Sequence, residues 1–203
     1  MTARNSEGGQ PPAFETVSKR PARDRIFETA KEMFYEHGIR AVGVEAIAAE
    51  ADATKMTLYR NFPSKDELVA EVLRDQVRDY AAWWNEALSG CSECPREKLE
   101  AVFDSFANKA CVTNTYGCPL ANAAVELHEP DNPARIVSVD HKREVHRRLA
   151  ELCTAAGAKD DELADGLMML MEGAYTARLT LGADGPGRSV ARAARALIRE
   201  YLD

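Results

Sequence analysis

The sequence predicts an all-α protein with two parts, an N-terminal head of three helices and a larger C-terminal helical bundle, the body. Apolar residues recur with a period near 3.6 along most of the chain, and no segment shows the alternation of a half-buried strand. Glycine, proline and capping residues separate these segments at intervals typical of globular helices. The 203 residues are enough to bury a substantial core in one or two domains.

The first predicted helix ends at Gly38, a residue suited to the left-handed conformation that follows many helices. Its apolar side chains follow the i, i+1, i+4, i+7, i+8 spacing of a single buried face: Ile26, Phe27, Ala30, Met33 and Phe34. This helix therefore packs one face against the rest of the head.

Residues 44–63 are predicted to form a short helix, a tight turn and a second short helix. Asp52 stands at the turn, and Asp is one of the few non-glycine residues that tolerate a left-handed conformation. Thr54 follows as an N-cap whose hydroxyl accepts a bond from the second helix. Leu58 and Phe62, four residues apart, are the inward anchors of that helix.

The helix after this motif is predicted to begin with a capping box formed by Ser64 and Glu67. Helices are expected over residues 64–88, 96–109, 120–127, 134–156, 160–181 and 187–202. The predicted organisation is a disordered tail over residues 1–18, a helix-turn-helix head over 19–66, and a ligand-binding and dimerisation body over 67–203.

The second helix of the motif carries no acidic residue, although the whole chain has a net charge of −7. Between Thr54 and Lys65 every charge is positive, with hydroxyl and amide groups interleaved. Such groups are the donors that DNA phosphates and base edges require. The pattern favours a DNA-binding helix-turn-helix over a helical corner with a solvated basic face. Upstream is a basic segment that either follows the DNA backbone or forms a solvated helix start: Lys19, Arg20, Arg23 and Arg25.

The strings IAAEA and TLYRNFPSKDEL, preceded by a helix that ends in Phe-x-x-x-Gly, are similar to the N-terminal domain of TetR-type transcriptional regulators. The similarity runs over about residues 23–73, and its motif is specific. GCPLANAAVEL at 117–127, HK at 141–142 and EGAYTA from 172 resemble the C-terminal domain of one TetR subgroup. The resemblance implies an all-α regulator that binds DNA.

The resemblance also implies DNA contacts at the start of the recognition helix, formed by Thr54, Lys55, Met56 and Thr57. Lys55 and Thr57 would meet base edges, and Met56 would pack on a thymine methyl. The family usually has a small residue or proline where Met56 stands. Tyr59 would give its hydroxyl to a phosphate.

Further along, the resemblance implies that Arg60 and Asn61 reach a base edge or phosphate and that Lys65 binds phosphate near a helix N-terminus. Two departures concern the neighbouring turns. The family usually has glycine where Asp52 stands, and often a hydroxyl-bearing residue within 42–43, where this chain has Val-Gly. The second departure removes a group that would cap the preceding helix and touch phosphate.

The last two predicted helices have wide apolar faces, which predict a dimerisation element that also serves the body core. These faces contain Leu163, Leu167, Leu170, Met171, Ala174, Ala177, Val190, Ala194, Leu197 and Ile198. We expect Leu197 and Ile198 to lie at the contact between two copies, with an arginine stripe along 188–199 at its solvated rim.

Aromatic, methionine and polar residues of the body are expected to line a small-molecule site. The candidates are Trp84, Phe103, Phe106, Asn122, Glu126, His141, Met168, Glu172 and Tyr175. For each aromatic or methionine, ordinary core packing is the alternative. Asn122, a polar residue inside the short segment PLANAAVEL, is the best single ligand-contact candidate.

Five cysteines, the lack of an apolar run of about 18 residues, and an N-terminus without a hydrophobic signal core predict a cytoplasmic protein with no membrane span. The spacing Cys91-x-x-Cys94 suits a redox pair or half a zinc site, but no second close pair of ligands accompanies it. We expect an interhelix loop with two ordinary thiols, no metal and no cofactor.

These features lead to the hypothesis of a one-component transcriptional repressor that is not an enzyme. A homodimer would place two recognition helices in successive major grooves of a palindromic operator, and a small, mostly apolar effector would release it. One alternative is a thiol-responsive repressor switched through Cys91 and Cys94. A more distant alternative is a small-molecule-processing enzyme on a helical scaffold, which requires an acid/base or nucleophile cluster that the second half does not display.

Overall fold

The computed structural model describes residues 20–110 and 115–203, and these residues form nine α-helices, one short 3₁₀ helix and no strand. The α-helices are α1 (Ala22–His37), α2 (Val44–Glu50), α3 (Lys55–Asn61), α4 (Lys65–Leu88), α5 (Pro95–Asn108), α6 (Pro119–Glu126), α7 (Pro133–Ala156), α8 (Glu162–Leu181) and α9 (Val190–Leu202). The 3₁₀ helix, Pro186–Ser189, leads directly into α9.

The head consists of α1, α2 and α3, packed around fully buried side chains. Ile26 and Ala30 of α1 meet Ile47 of α2 and Leu58 of α3 in this core, and all four are 0% exposed. Asp52 lies in the turn between α2 and α3 with φ 49°, the left-handed conformation predicted for it. The local chemistry of the sequence thus explains the geometry of the helix-turn-helix.

A single helix, α4, connects the head to the body. Its first turn is capped by the Ser64 hydroxyl, which accepts a hydrogen bond from the backbone N–H of Glu67 at 3.0 Å. Near its start Leu68 is buried, and near its end Trp84 is buried among the helices of the body. The predicted boundary between residues 66 and 67 falls in the first turn of α4, which runs unbroken over Lys65–Leu88. The head and the body are therefore joined by one continuous helix.

The body is built around α7, which packs on α4, α5, α6 and α8, while α9 closes the bundle against α5 and α8. Its innermost side chains are Leu99, Phe103, Phe106, Leu149, Leu163 and Leu167, and they continue the apolar core of the head. All predicted helices of the body are present, and their ends lie within a few residues of those expected.

One detail of the predicted dimer contact is wrong. Ile198 is 0% exposed within the single chain, because its face of α9 turns inward onto the body core. Leu197 is only partly buried and rests on Gly166 of α8. The predicted disordered tail lies outside the described residues. No helix in the described part of the chain is long and apolar enough to cross a membrane.

Candidate functional site

The N-terminus of α3 is organised by a pair of threonine hydroxyls. Thr54 adopts an extended conformation, and its Oγ1 accepts a hydrogen bond from the Thr57 backbone N–H at 3.1 Å. The two hydroxyl oxygens are 2.9 Å apart, so the side chains also bond to each other. This confirms the N-cap and fixes the rotamers of both predicted DNA-contacting threonines.

The side chains predicted to read DNA project from α3 into solvent. Met56 is 82% exposed, and Tyr59 and Arg60 are also exposed. Asn61 instead turns back on its own helix, since its Nδ2 donates to the Thr57 carbonyl at 2.8 Å. The exposed residues form an accessible surface in the free protein, whereas Asn61 must change partner to reach a base.

Lys55 is paired with an acidic residue that the neighbouring helix supplies. Its ammonium donates to the Glu45 carboxylate of α2 and lies 6.0 Å from the centroid of the Tyr59 ring. The hydrogen bond raises the pKa of Lys55 and lowers that of Glu45. Recognition by Lys55 would therefore replace an ion pair within the protein by one with DNA.

Lys65 is the first residue of α4, and its side chain packs against the segment that follows α1. Its Nζ donates to the Ile39 carbonyl at 2.6 Å and lies 5.9 Å from the centroid of the Phe34 ring. Partial burial lowers the pKa of Lys65. One of the three ammonium protons is committed to the backbone, which leaves the others for a phosphate.

Arg25 of α1 holds the turn of the helix-turn-helix, whereas the sequence predicted that it would follow the DNA backbone or lie at a solvated helix start. Its Nε donates to the Ala51 carbonyl at 2.9 Å, and its Nη2 donates to the Asp52 carbonyl at 2.7 Å. These bonds satisfy carbonyls where α2 ends. The Arg25 guanidinium therefore stabilises the turn that positions α3.

Two hydrogen-bonded braces tie the head to α6 and the loop before it. In the first, the Glu126 carboxylate accepts from the backbone N–H groups of Ile39 at 3.0 Å and Arg40 at 2.7 Å. In the second, the Tyr35 hydroxyl accepts from the Tyr116 N–H at 3.1 Å and donates to the Gly117 carbonyl at 3.2 Å. Glu126, expected as a ligand contact, thus also holds the head in place.

Most of the other predicted ligand residues come together in one aromatic cluster of the body. Phe106 lies 6.3 Å from Phe103 and 5.1 Å from Tyr175 between ring centroids. Tyr80 lies 6.4 Å from Trp84 and 4.7 Å from His141. These six side chains are buried and fill the space among the helices, while Met168 packs partly buried against the same core.

A partly buried ion pair borders this aromatic cluster. The Lys142 ammonium donates to the Glu172 carboxylate at 2.5 Å and to the Cys118 sulfur at 3.4 Å. The Tyr80 hydroxyl is buried and finds no hydrogen-bond partner among the described residues. Burial, with smaller contributions from Lys142 and Arg148, lowers the pKa of His141 to about 4, so its imidazole is neutral near pH 7.

A cavity that includes two of the predicted ligand residues lies at the junction of head and body. It has a volume of about 370 Å³ and is bounded by α1, the first half of α4, the end of α5 and α6. Of the nine predicted ligand residues, Asn122 and Glu126 line it, whereas the aromatic cluster does not. The sequence could not place this cavity, because its walls come from four separate segments.

The outer face of α8 and α9 offers an apolar surface suited to a second copy. Met169 is 69% exposed, and it lines a shallow groove together with Leu170 and Leu197. Small residues such as Gly166 and Ala193 complete the groove and permit close approach of another helix pair. Of the residues predicted for the dimerisation faces, Leu170 and Leu197 line this groove. Most of the others are buried in the body core: Leu163, Leu167, Met171, Ala174, Val190, Ala194 and Ile198.

The two cysteines of the loop between α4 and α5 are not joined by a disulfide. The Cys91 sulfur lies 3.5 Å from the Ala87 carbonyl, and Cys94 is exposed just before α5. Within residues 20–110 and 115–203, no three His, Cys, Asp or Glu side chains converge as a metal ion would require.

Comparison with known families and relatives identifies the head. Residues 26–72 match the family described as bacterial regulatory proteins, tetR family. The transcriptional repressor KstR2 of Rhodococcus jostii is 34% identical over 92 residues, 45% of each chain. The regulator QacR of Staphylococcus aureus is 28% identical over 106 residues, 52% of this chain and 53% of QacR. The chain thus spans about half the length of these curated relatives.

Other comparisons extend over most of the chain. The regulator BetI of Brucella anthropi is 25% identical over 190 residues, 92% of this chain and 94% of BetI. The crystal structure of SCO4454, a TetR-family transcriptional regulator from Streptomyces coelicolor, superposes with a TM-score of 0.78 at 28% identity. That superposition covers 90% of this chain and 96% of SCO4454, so the likeness includes the body as well as the head.

Proposed function

This chain belongs to the TetR family of bacterial regulatory proteins, and from that premise we propose that it is a one-component transcriptional repressor acting in the cytoplasm. It binds a palindromic operator as a homodimer, with residues 19–66 as the DNA-binding domain and residues 67–203 as the regulatory and dimerisation domain. The observation that supports this best is α3, an acid-free helix that is capped by Thr54 and exposes Lys55, Tyr59 and Arg60.

On the operator, the N-terminus of α3 enters the major groove. Thr57 and Lys55 meet base edges there, and Met56 covers a thymine methyl. To reach a base, Lys55 breaks its ion pair with Glu45, and the unpaired Glu45 carboxylate then repels DNA phosphates. A DNA sequence that offers Lys55 no hydrogen-bond acceptor does not compensate for this cost, so binding to it is disfavoured. Tyr59, Arg60 and Lys65 supply phosphate contacts that set the register without reading sequence, and Asn61 joins them after releasing Thr57.

The dimer forms through the outer face of α8 and α9. Met169, Leu170 and Leu197 provide an apolar centre, and Glu200 lies beside them at the edge of the groove. Pairing about a two-fold axis places the two copies of α3 on the same side of the dimer, as successive major grooves of a palindrome require.

Regulation follows because binding of a small, mostly apolar molecule and binding of DNA both depend on the position of the head. A ligand that prefers the DNA-released state by about 100-fold supplies about 2.7 kcal/mol per site. The Glu126 brace connects α6 to the backbone of the head, and the Tyr35 brace connects the α1 side chain to the backbone of the loop before α6. A shift of α6 is therefore transmitted to the head.

The experiment that tests this function is selection of a binding site from a random DNA pool with the full chain. We expect a palindromic consensus. Lys55→Ala and Thr57→Ala should each relax selection at particular base pairs by about tenfold, whereas Lys65→Ala should weaken all sequences alike. Met169→Glu keeps α3 intact and should leave only half-site binding. Recovery of no consensus, or a consensus unchanged by both α3 substitutions, would refute the proposal.

A further inference from the structure

The cavity at the junction of head and body combines an apolar floor with an acidic rim. Val69, Val72 and Leu73 of α4 form the floor, and Phe34 and Tyr35 of α1 add aromatic surface. Its volume of about 370 Å³ lies within the range that small-molecule sites occupy. A molecule with a compact apolar body fits this floor.

The charges around the cavity are predominantly negative. Five carboxylates line it, from Glu28, Glu32, Glu36, Asp79 and Glu126, against the two ammonium groups of Lys31 and Lys109. The Lys31 ammonium is bound at 2.6 Å by Asp75, which lies outside the lining, and is 3.6 Å from Asp79. The Lys109 ammonium lies 6.0 Å from the centroid of the Tyr80 ring and 5.4 Å from that of Trp83. The lining therefore keeps an excess of three negative charges, five carboxylates against two ammonium groups.

We infer that this cavity is the effector site and that its ligand is an organic cation with an apolar body, such as an arylalkyl quaternary ammonium. The floor takes the apolar part, and the rim carboxylates take the charge without needing a hydrogen-bond donor on the ligand. The faces of aromatic side chains attract such cations as well. An anion of the same size meets five carboxylates and is rejected. This inference rests on the proposed function, since it names the regulator's effector.

The position of the cavity explains how binding would reach DNA. The Tyr35 brace connects α1 to the loop before α6, and the Glu126 brace connects α6 to the backbone just after α1. A ligand between α1 and α6 bears on both braces, so it changes the angle at which the head sits on the body. Dimeric operator binding is sensitive to that angle, because both recognition helices must meet their half-sites at once.

The first experiment measures binding of benzyltrimethylammonium to the full chain by calorimetry, with 3-phenylpropionate as an anion with the same number of non-hydrogen atoms. We expect the cation to bind and the anion not to bind. The cation should also release the chain from the operator recovered by site selection. Equal affinities for the two molecules, or tighter binding of the anion, would overturn the proposed charge preference.

Matched variants then locate the charge recognition. Glu32→Gln with Glu36→Gln removes two rim carboxylates and should weaken cation binding about tenfold. Glu86→Gln with Asp131→Asn removes the same charge from exposed positions outside the cavity lining and should leave the affinity unchanged. If both double variants weaken binding equally, the cation senses only the net charge of the protein, and the cavity assignment is wrong.

Two further results decide the location. Val72→Phe, checked for folding by circular dichroism, fills the floor of the cavity and should abolish cation binding while the chain still binds the selected DNA. Crystals soaked with 4-bromobenzyltrimethylammonium should show bromine anomalous signal between α1 and α6, and signal among the aromatic cluster instead would overturn the inference. DNA binding without cation binding refutes only the effector site, whereas loss of sequence-selective DNA binding in the wild type refutes the function itself.

Discussion

The brace between Glu126 and the head provides a quantitative test of how the two parts are coupled. Its carboxylate accepts two charge-assisted hydrogen bonds from the Ile39 and Arg40 backbone. Such bonds contribute about 1.5–3 kcal/mol each, and the half-buried position argues for the lower end of that range. Glu126→Gln keeps one acceptor oxygen but turns an amide donor toward the other N–H. We expect the free energy of unfolding to fall by about 2 kcal/mol.

Urea denaturation followed by circular dichroism measures this change, with protein concentration held fixed because a dimer's stability depends on it. Glu129→Gln is the matched control, since Glu129 is exposed and forms only a solvent-exposed ion pair, 3.9 Å from the Arg40 guanidinium. We expect no resolvable change for the control and a severalfold loss of operator affinity for Glu126→Gln, because the head loses its fixed orientation. Equal unfolding curves for Glu126→Gln and the wild type would refute the reasoning.

Three further outcomes follow from the structure. Met169→Glu should give a monomer in light scattering, whereas Val125→Glu, an equally exposed apolar residue on α6, should remain dimeric. Burial holds the pKa of His141 at about 4, below the unfolded-state value near 6.5, so only the unfolded chain gains this proton in that window. The free energy of unfolding should therefore fall between pH 6.5 and pH 4, by at most about 1.4 kcal/mol per pH unit from this group. In denaturation curves measured across this pH range, His141→Gln should reduce the slope, whereas the control His128→Gln should leave it unchanged. Replacing both cysteines of the loop Cys91–Cys94 with serine should leave release by the effector intact, and loss of release would favour the thiol switch.

Features set by residues close together in the chain were predicted well from the sequence. The left-handed Asp52, the Thr54 cap and the Ser64–Glu67 cap each depend on a few consecutive residues, and all three are present. The helix-turn-helix is a short motif of the same kind. Its fold and the exposure of α3 therefore followed from local spacing and capping chemistry.

Features that depend on distant segments were not predictable. Glu126 bonds to a backbone that lies 87 positions away at Ile39, and Lys55 finds its acidic partner on another helix. The inward turn of Ile198 depends on the rotation of α9 against the body, which a wide apolar face does not specify. The cavity likewise forms only when α1, α4 and α6 pack together. The ligand residues predicted from the sequence were chosen largely for their aromatic side chains, and these fill the body core instead of lining the cavity.

The continuity of α4 from the head to the body has a mechanical consequence. Its 24 residues make a rod about 36 Å long. If the rod pivots at its body end, a tilt of about 5° displaces its head end by about 3 Å. Opposite tilts in the two subunits of the proposed dimer then change the distance between the two copies of α3 by up to about 6 Å. Half-sites one helical turn apart are about 34–36 Å from centre to centre. In the proposed dimer, a tilt of about 5° in each subunit therefore produces a mismatch of about one sixth of the DNA repeat.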